Sequence, residues 1–290
     1  MRKVTYSISA ILVAASLLAL IVWGLKPGID FTGGSLMEIG FIDERPANNV
    51  ILEKLKESGV ESTVIQPTGE RGVILRFKDI SEAQHQTILV FLSSLGKFEE
   101  KRFDSIGPTI GKELRRKSLW AIGLVILMIV LYIAWAFRKV SRPISSWKYG
   151  AAAIIALFHD IAIPTGVFAF LGKYYGIEVD TLFVTALLTI LGFSVHDTIV
   201  VFDRIRERLN TSGGRENFED TVEKSIRSTV ARSINTSLTV IIVMAALYFL
   251  GGASTKLFSV AILIGIFFGT YSSIFIASAL LVSWNKFTLK

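Results

Sequence analysis

The chain has 290 residues, of which 51% are hydrophobic and 19% charged. Its mean hydropathy of +0.55 lies well above that of a water-soluble domain, so a single soluble globule is excluded. The absence of cysteine excludes disulfides, thiolate nucleophiles and Cys-ligated zinc or iron–sulfur centres, and the net charge of +7 sits beside apolar runs, as in cytoplasmic membrane loops, rather than on a nucleic-acid-binding face.

Six apolar runs, at 6–25, 119–137, 149–171, 182–202, 234–250 and 257–284, are long enough to cross a hydrocarbon layer of about 30 Å. The first follows Met1, Arg2 and Lys3 and exceeds a usual signal-peptide core, with no A-x-A site before Lys26; it reads as an uncleaved anchor. The spacing divides the chain into residues 1–25, a cytoplasmic N-terminus and first span; 26–118, a polar extracytoplasmic domain; and 119–290, five further spans with cytoplasmic loops. Placing both termini inside puts Arg2, Lys3, Arg138, Lys139, Arg142, Lys148, Arg204, Arg206, Arg208, Arg215, Lys224, Arg227, Arg232, Lys286 and Lys290 on the cytoplasmic side. Only Lys173 and Lys256 remain in the short outer loops.

The polar segment predicts a strand at 35–42, a helix at 47–58 between Pro46 and Gly59, and strands at 60–66 and 73–77. A helix with a Ser81/Gln84 capping box follows, ending near Gly96, and then a strand at 97–104. The order β-α-β-β-α-β is that of a ferredoxin-like module. It holds no His/Asp/Ser cluster and reads as a binding or lever domain.

The chemistry lies in the spans. His159 and Asp160 fall in the third and His196 and Asp197 in the fourth; ionisable groups at such positions should face each other or a wet cavity and are candidates for a proton or ion pathway. In the fifth, Arg232, Asn235, Thr236 and Thr239 share one face, which predicts an Arg232–Asp197 ion pair. A metal site is disfavoured because adjacent residues point to different parts of a helix surface. In the sixth, Ala261, Gly265, Gly269, Ser273 and Ala277 recur every four residues and form a helix-packing stripe, expected to need a partner's cover. After the fourth span, Asp203 to Arg208 continues a charged helix with i, i+3 pairs such as Asp203 with Arg206.

Several motifs together carry a family resemblance. They are Gly28-Ile-Asp-Phe-Thr-Gly-Gly-Ser35, Gly107-Pro-Thr-Ile-Gly-Lys-Glu-Leu-Arg-Arg116, Phe158-His-Asp160, the run Ser194 to Glu207, Arg232-Ser-Ile-Asn-Thr-Ser237, Gly251-Gly252 and the run Ile264 to Ser278. The chain resembles the SecF family of the RND superfamily over nearly its whole length, and its single small outer domain fits SecF better than the related SecD. The resemblance implies a multi-pass subunit of the bacterial inner membrane that pairs with SecD beside the SecYEG translocon, with YajC and YidC as further partners. It would use the proton-motive force to assist export of unfolded preproteins. It implies no cofactor beyond the coupling ion, H⁺, no nucleic-acid partner and no enzymatic activity. Asp197 matches the family's proton carrier and Arg232 the arginine near it, while His196 replaces a more usual Asn with a group that titrates near neutrality. Gly107, Pro108 and Gly111 would form the hinge that passes motion to the outer domain. A half-unit of an RND-type exporter of lipids or small molecules would need a ligand cavity in that domain. An aspartyl protease using Asp160 and Asp197 would need a Gly-x-Gly-Asp signature that residues 192–197 do not supply.

Overall fold

The structure, a computed structural model, describes residues 2–57, 64–138, 145–212 and 216–288. Lys139, Arg142, Arg215 and Lys290, the end of the helix expected at 47–58 and the start of the strand expected at 60–66 lie outside the described residues. In chain order the elements are α1 (Arg2–Val22), α2 (Ile29–Thr32), β1 (Gly34–Phe41), α3 (Asn48–Glu57), β2 (Val64–Thr68), β3 (Gly72–Phe77), α4 (Glu82–Ser93) and β4 (Phe98–Ile106). There follow α5 (Pro108–Ala136), α6 (Ser146–Tyr175), α7 (Thr181–Ser212), α8 (Phe218–Leu250), α9 (Ala253–Ser272), a π-helical turn (Ser273–Ala277) and α10 (Ser278–Thr288). The chain divides into two compact units, Met1–Lys26 with Trp120–Lys290, and Pro27–Leu119.

Six helices among the described residues are long and apolar enough to cross a membrane. Several outrun the apolar spans of the sequence: α7 continues ten residues beyond Phe202 and α8 begins sixteen residues before Ile234, because charged residues at i, i+3 and i, i+4 support a helix in water. Arg206 pairs with Asp203 at 2.5 Å and Arg227 with Glu223 at 2.7 Å. At one end of the bundle Tyr149 is fully buried, stacked on Phe137 and edge-on to Phe202 at centroid distances of 5.5 and 5.4 Å. Pro164 lies inside α6; lacking an N–H, it leaves the Asp160 carbonyl without its helical donor.

Small residues set the helix separations. A β-carbon on Gly166 of α6 would meet Ser16 of α1, and one on Gly265 of α9 would collide with the Ile190 side chain of α7. Ala261, Gly265, Gly269, Ser273 and Ala277 are all buried, so the stripe expected to await a partner is consumed inside this chain. The remaining apolar surface lies elsewhere: on α5, Trp120, Leu124, Leu127, Leu131 and Trp135 are exposed, whereas Ile133 is buried.

The second unit holds an antiparallel sheet of order β2-β3-β1-β4. Met37, Ile39 and Phe41 of β1 and Val73, Leu75 and Phe77 of β3 form one core with Ile51 and Leu55 of α3 and Ile88 and Leu92 of α4. The Ser81/Gln84 capping box is present, and α4 stops at Ser93, three residues before Gly96. The short α2 was not foreseen. It delivers the chain to Gly33 and Gly34, whose φ of +74° and +125° L-residues rarely adopt. A β-carbon on Gly33 would lie 2.6 Å from Pro108 Cα, and one on Gly111 2.7 Å from the Gly33 nitrogen. The Gly107–Gly111 segment, expected to act as a hinge, packs its backbone against that of Gly33.

On the same unit His85 is buried between Glu82 and Glu100, with Nδ1 3.3 Å from one carboxylate and Nε2 2.8 Å from the other, and stacks on Phe103. Hydrogen bonds from Gln86 and then His85 hold the exposed Glu82 carboxyl below the usual carboxylate range. A depressed carboxylate stabilises the fold above its unfolded pKa and loses that contribution as pH falls through its folded value. Protection of the α4 amides against hydrogen exchange, corrected for intrinsic rates, should accordingly fall on acidification through that range in the full-length protein, and Glu82→Gln should flatten the dependence.

The Gly265 contact makes a second expectation. Gly265→Leu should destabilise the detergent-solubilised protein by about 1–3 kcal/mol through overpacking. Gly192→Ala, at a position with nothing within 4 Å of the added carbon, should leave the thermal transition nearly unchanged.

Candidate functional site

The two aspartates lie near the middles of α6 and α7. Asp160 is fully buried. Its Oδ1 is 2.8 Å from His159 Nδ1, and its Oδ2 accepts from Ser194 of α7 at 2.5 Å and from Ser272 of α9 at 2.7 Å. A charged residue at the centre of a membrane helix costs about 2.5–3.5 kcal/mol on the insertion scale, and these three contacts offset that cost by replacing the water the carboxyl group has lost. Gly269 borders this carboxyl group: a β-carbon there would be in ordinary contact with Ser194 and, at 3.6 Å, with Asp160 Oδ2. His159 is buried beside Phe268 and Tyr271, and its Nε2 has no hydrogen-bond partner among the described residues.

Asp197 is held differently. Its Oδ1 accepts from Ser233 of α8 at 2.5 Å, while its buried Oδ2 has no donor in place among the described residues. The predicted ion pair with Arg232 does not form. Thr221, Ser225, Thr229, Ser233 and Ser237 recur every four residues and constitute the buried face of α8, whereas Arg232, Asn235, Thr236 and Thr239 are exposed. The physical reason is size: small hydroxyls permit close approach to α7 and α9 and satisfy buried acceptors, which a guanidinium could do only at a large desolvation cost. His196 is likewise exposed, so of the two His–Asp pairs only His159–Asp160 is wholly internal. Arg232 lines a cavity of about 390 Å³ with Val200, Asp203, Arg204, Glu207, Ser228 and Thr229. Thr229 stands one helical turn before Ser233, but neither Ser233 nor Asp197 lines this cavity.

The hydroxyl layer continues. Thr198 Oγ1 and Ser273 Oγ are 2.8 Å apart, and Ser237 pairs with Thr270. Sequence reading missed Ser194, Ser233 and Ser272, and assigned Ser273 to packing alone; the four-residue repeat of small hydroxyls on α8 was a signal of the same kind as the stripe on α9. No group of three or more potential metal ligands occurs among the described residues. The arrangement can hold a carboxyl group in either protonation state: hydroxyls donate to the ionised form and accept from the neutral one.

Removing the Asp160 carboxyl strands two serine hydroxyls and an imidazole. With interhelical membrane hydrogen bonds averaging about 0.6 kcal/mol, Asp160→Ala should cost on the order of 2 kcal/mol in unfolding of the purified protein. Asp160→Asn, which keeps an acceptor, should cost less.

Comparison with known proteins places this geometry in a family. The profile described as "Protein export membrane protein SecD/SecF, C-terminal" matches residues 88–287, and that of the "SecD/SecF GG Motif" matches residues 19–41, the segment that includes Gly33 and Gly34. The chain is 46% identical over 299 aligned residues to the protein translocase subunit SecF of Thermobaculum terrenum, covering 98% of this chain and 92% of the relative. It is 36% identical over 286 residues to that of Haemophilus influenzae, covering 96% and 83%. The crystal structure of SecDF, a translocon-associated membrane protein from Thermus thermophilus, superposes with a TM-score of 0.84 at 33% identity over 98% of this chain, which spans 38% of that longer chain. The chain belongs to the SecD/SecF family of protein export membrane proteins.

Proposed function

We propose that this chain is a SecF-type subunit which, paired with SecD beside the SecYEG translocon, uses the proton-motive force to assist preprotein export across the bacterial inner membrane. The carrying observation is Asp197: a buried carboxyl group with one oxygen on Ser233 and the other without a donor, in a chain whose relatives are translocase subunits. A half-satisfied carboxyl group at this depth is suited to take and release a proton. The polar cavity at Arg232 supplies a route toward it, Thr229 and Ser233 being successive turns of α8. In this reading Arg232 acts through the cavity's field, not as a contact ion pair.

The remaining parts follow from the same premise. With both termini cytoplasmic, the charged ends of α7 and α8 lie inside and the four-stranded unit lies outside, as a ferredoxin-like module that contacts emerging chains. SecD covers the exposed polar face of α8, including Asn235, Thr236 and Thr239, which lipid would not solvate. YajC and YidC belong to the same assembly. The chain transports and does not catalyse a covalent step, and H⁺ is the coupling ion. An exporter of lipids or small molecules is not favoured, since the relatives are named as protein translocase subunits.

An electrical potential supplies about 2.3 kcal/mol per elementary charge per 100 mV, and a carrier that cannot ionise cannot use it. Asp197→Asn should abolish the stimulation of preprotein translocation by an imposed proton gradient in inverted membrane vesicles while preserving insertion and pairing with SecD. Equal stimulation of the variant and the wild type would refute the assignment. Arg232→Ala should weaken the stimulation without removing it.

A further inference from the structure

Ser272 and Ser273 are consecutive at the junction of α9 and the π turn. Adjacent helical residues point about 100° apart, and these two accordingly reach different neighbours. Ser272 Oγ lies 2.7 Å from Asp160 Oδ2 on α6 and 3.0 Å from the Gly269 carbonyl oxygen. Ser273 Oγ lies 3.0 Å from that same carbonyl oxygen and 2.8 Å from Thr198 Oγ1 on α7, the residue that follows Asp197. Each serine hydroxyl has a single proton to donate, and a carbonyl oxygen has two lone pairs. The backbone N–H of Ser273 already bonds to the Gly269 oxygen, so one lone pair remains for two hydroxyls. Ser278 Oγ donates to the Ser273 carbonyl at 3.0 Å, which supports the π turn where this crowding occurs. Such turns recur at functional sites.

We propose that Ser272 and Ser273 are positioning residues that couple the protonation of Asp160 to that of Asp197 by competing for the Gly269 carbonyl. With Asp160 ionised, Ser272 donates to it, Ser273 donates to Gly269, and Asp197 Oδ2 has no donor. When Asp160 gains a proton, its claim on Ser272 weakens and Ser272 rotates to the Gly269 oxygen. Ser273 is displaced, turns its proton to Asp197 Oδ2 and accepts one from Thr198. No serine O–H bond breaks; the changes are rotations about Cβ–Oγ, and the one proton gained is that on Asp160. Protonation of Asp160 thereby favours ionised Asp197, and the pair passes through states holding one proton. This rests on the reading of Asp197 as a proton carrier.

The groups that face the pair are few. His159 of α6, Ser194 of α7 and Ser272 of α9 face Asp160. Ser233 of α8 and Ser273 face Asp197, with His196 and Asp160 as its charged or titratable neighbours. Direct repulsion between the two carboxylates acts in the same direction as the hydroxyl relay, and the test must separate them.

Infrared titration of the full-length protein in lipid, following the C=O stretch of protonated carboxyl groups, does so. Asp160→Asn and Asp197→Asn assign the two bands. Asp160→Asn should then displace the Asp197 midpoint by about half a pH unit or more. In either a Ser272→Ala or a Ser273→Ala background that displacement should shrink to about half or less, although neither substitution removes a charge. A displacement of equal size in all backgrounds would mean repulsion alone and would overturn the proposal, as would an Asp197 band that does not titrate. Loss of the export phenotype prediction for Asp197→Asn concerns the carrier reading and leaves this comparison of band positions intact, so the two failures are distinguishable.

Discussion

A carboxyl group in an apolar layer has no water to hydrogen-bond, so the protein must bring donors to it from other helices. Asp160 receives them from α7 and α9 and Asp197 from α8. Each donor is a serine, the shortest side chain that can donate an O–H, and that choice dictates the rest of the bundle. Short donors require close helices, and close helices require small residues at every crossing. Gly265 against Ile190 keeps α9 close to α7 in this way, and Gly166 against Ser16 does the same between α6 and α1.

The backbone is irregular where the network is densest. Pro164 frees the Asp160 carbonyl one turn beyond the aspartate, and the π turn begins at Ser273, immediately after the serine that bonds to Asp160. Regular α-helices resist sliding because each backbone bond is matched; interrupting two of them beside one carboxyl group gives α6 and α9 places where a small shift costs little. In the other unit the opposite principle holds. Gly33 packs backbone on backbone against Pro108 and Gly111, and Gly34 against the Phe77 carbonyl.

The apolar spans, the element order of the polar unit and the Ser81/Gln84 cap were legible because each depends on residues near one another in sequence: hydropathy over a window, alternation over a strand, a side chain reaching three residues along. The buried aspartates were legible for a related reason, since an ionisable residue within an apolar run is conspicuous wherever it ends up. Their partners were not. Arg232 was chosen for Asp197 by charge, yet the helix presents Ser233 inward, one position and about 100° away. The stripe on α9 was recognised as a packing surface, but sequence periodicity does not say whether the matching surface belongs to the same chain or to another.

The sequence by itself determined which segments span, which residues are too polar to face lipid and which motifs place the chain in its family. Those properties follow from local chemistry and transfer free energy, which are additive along a chain. The tertiary structure alone decided which helix face turns inward, that Ser233 and not Arg232 holds Asp197, and that Ser272 reaches Asp160 while Ser273 reaches Thr198. The rotation of a helix about its axis is set by the sum of its contacts with several neighbours at once. A hydrogen bond of 2.5–2.7 Å between residues up to 112 positions apart exists only when all of those rotations are satisfied together.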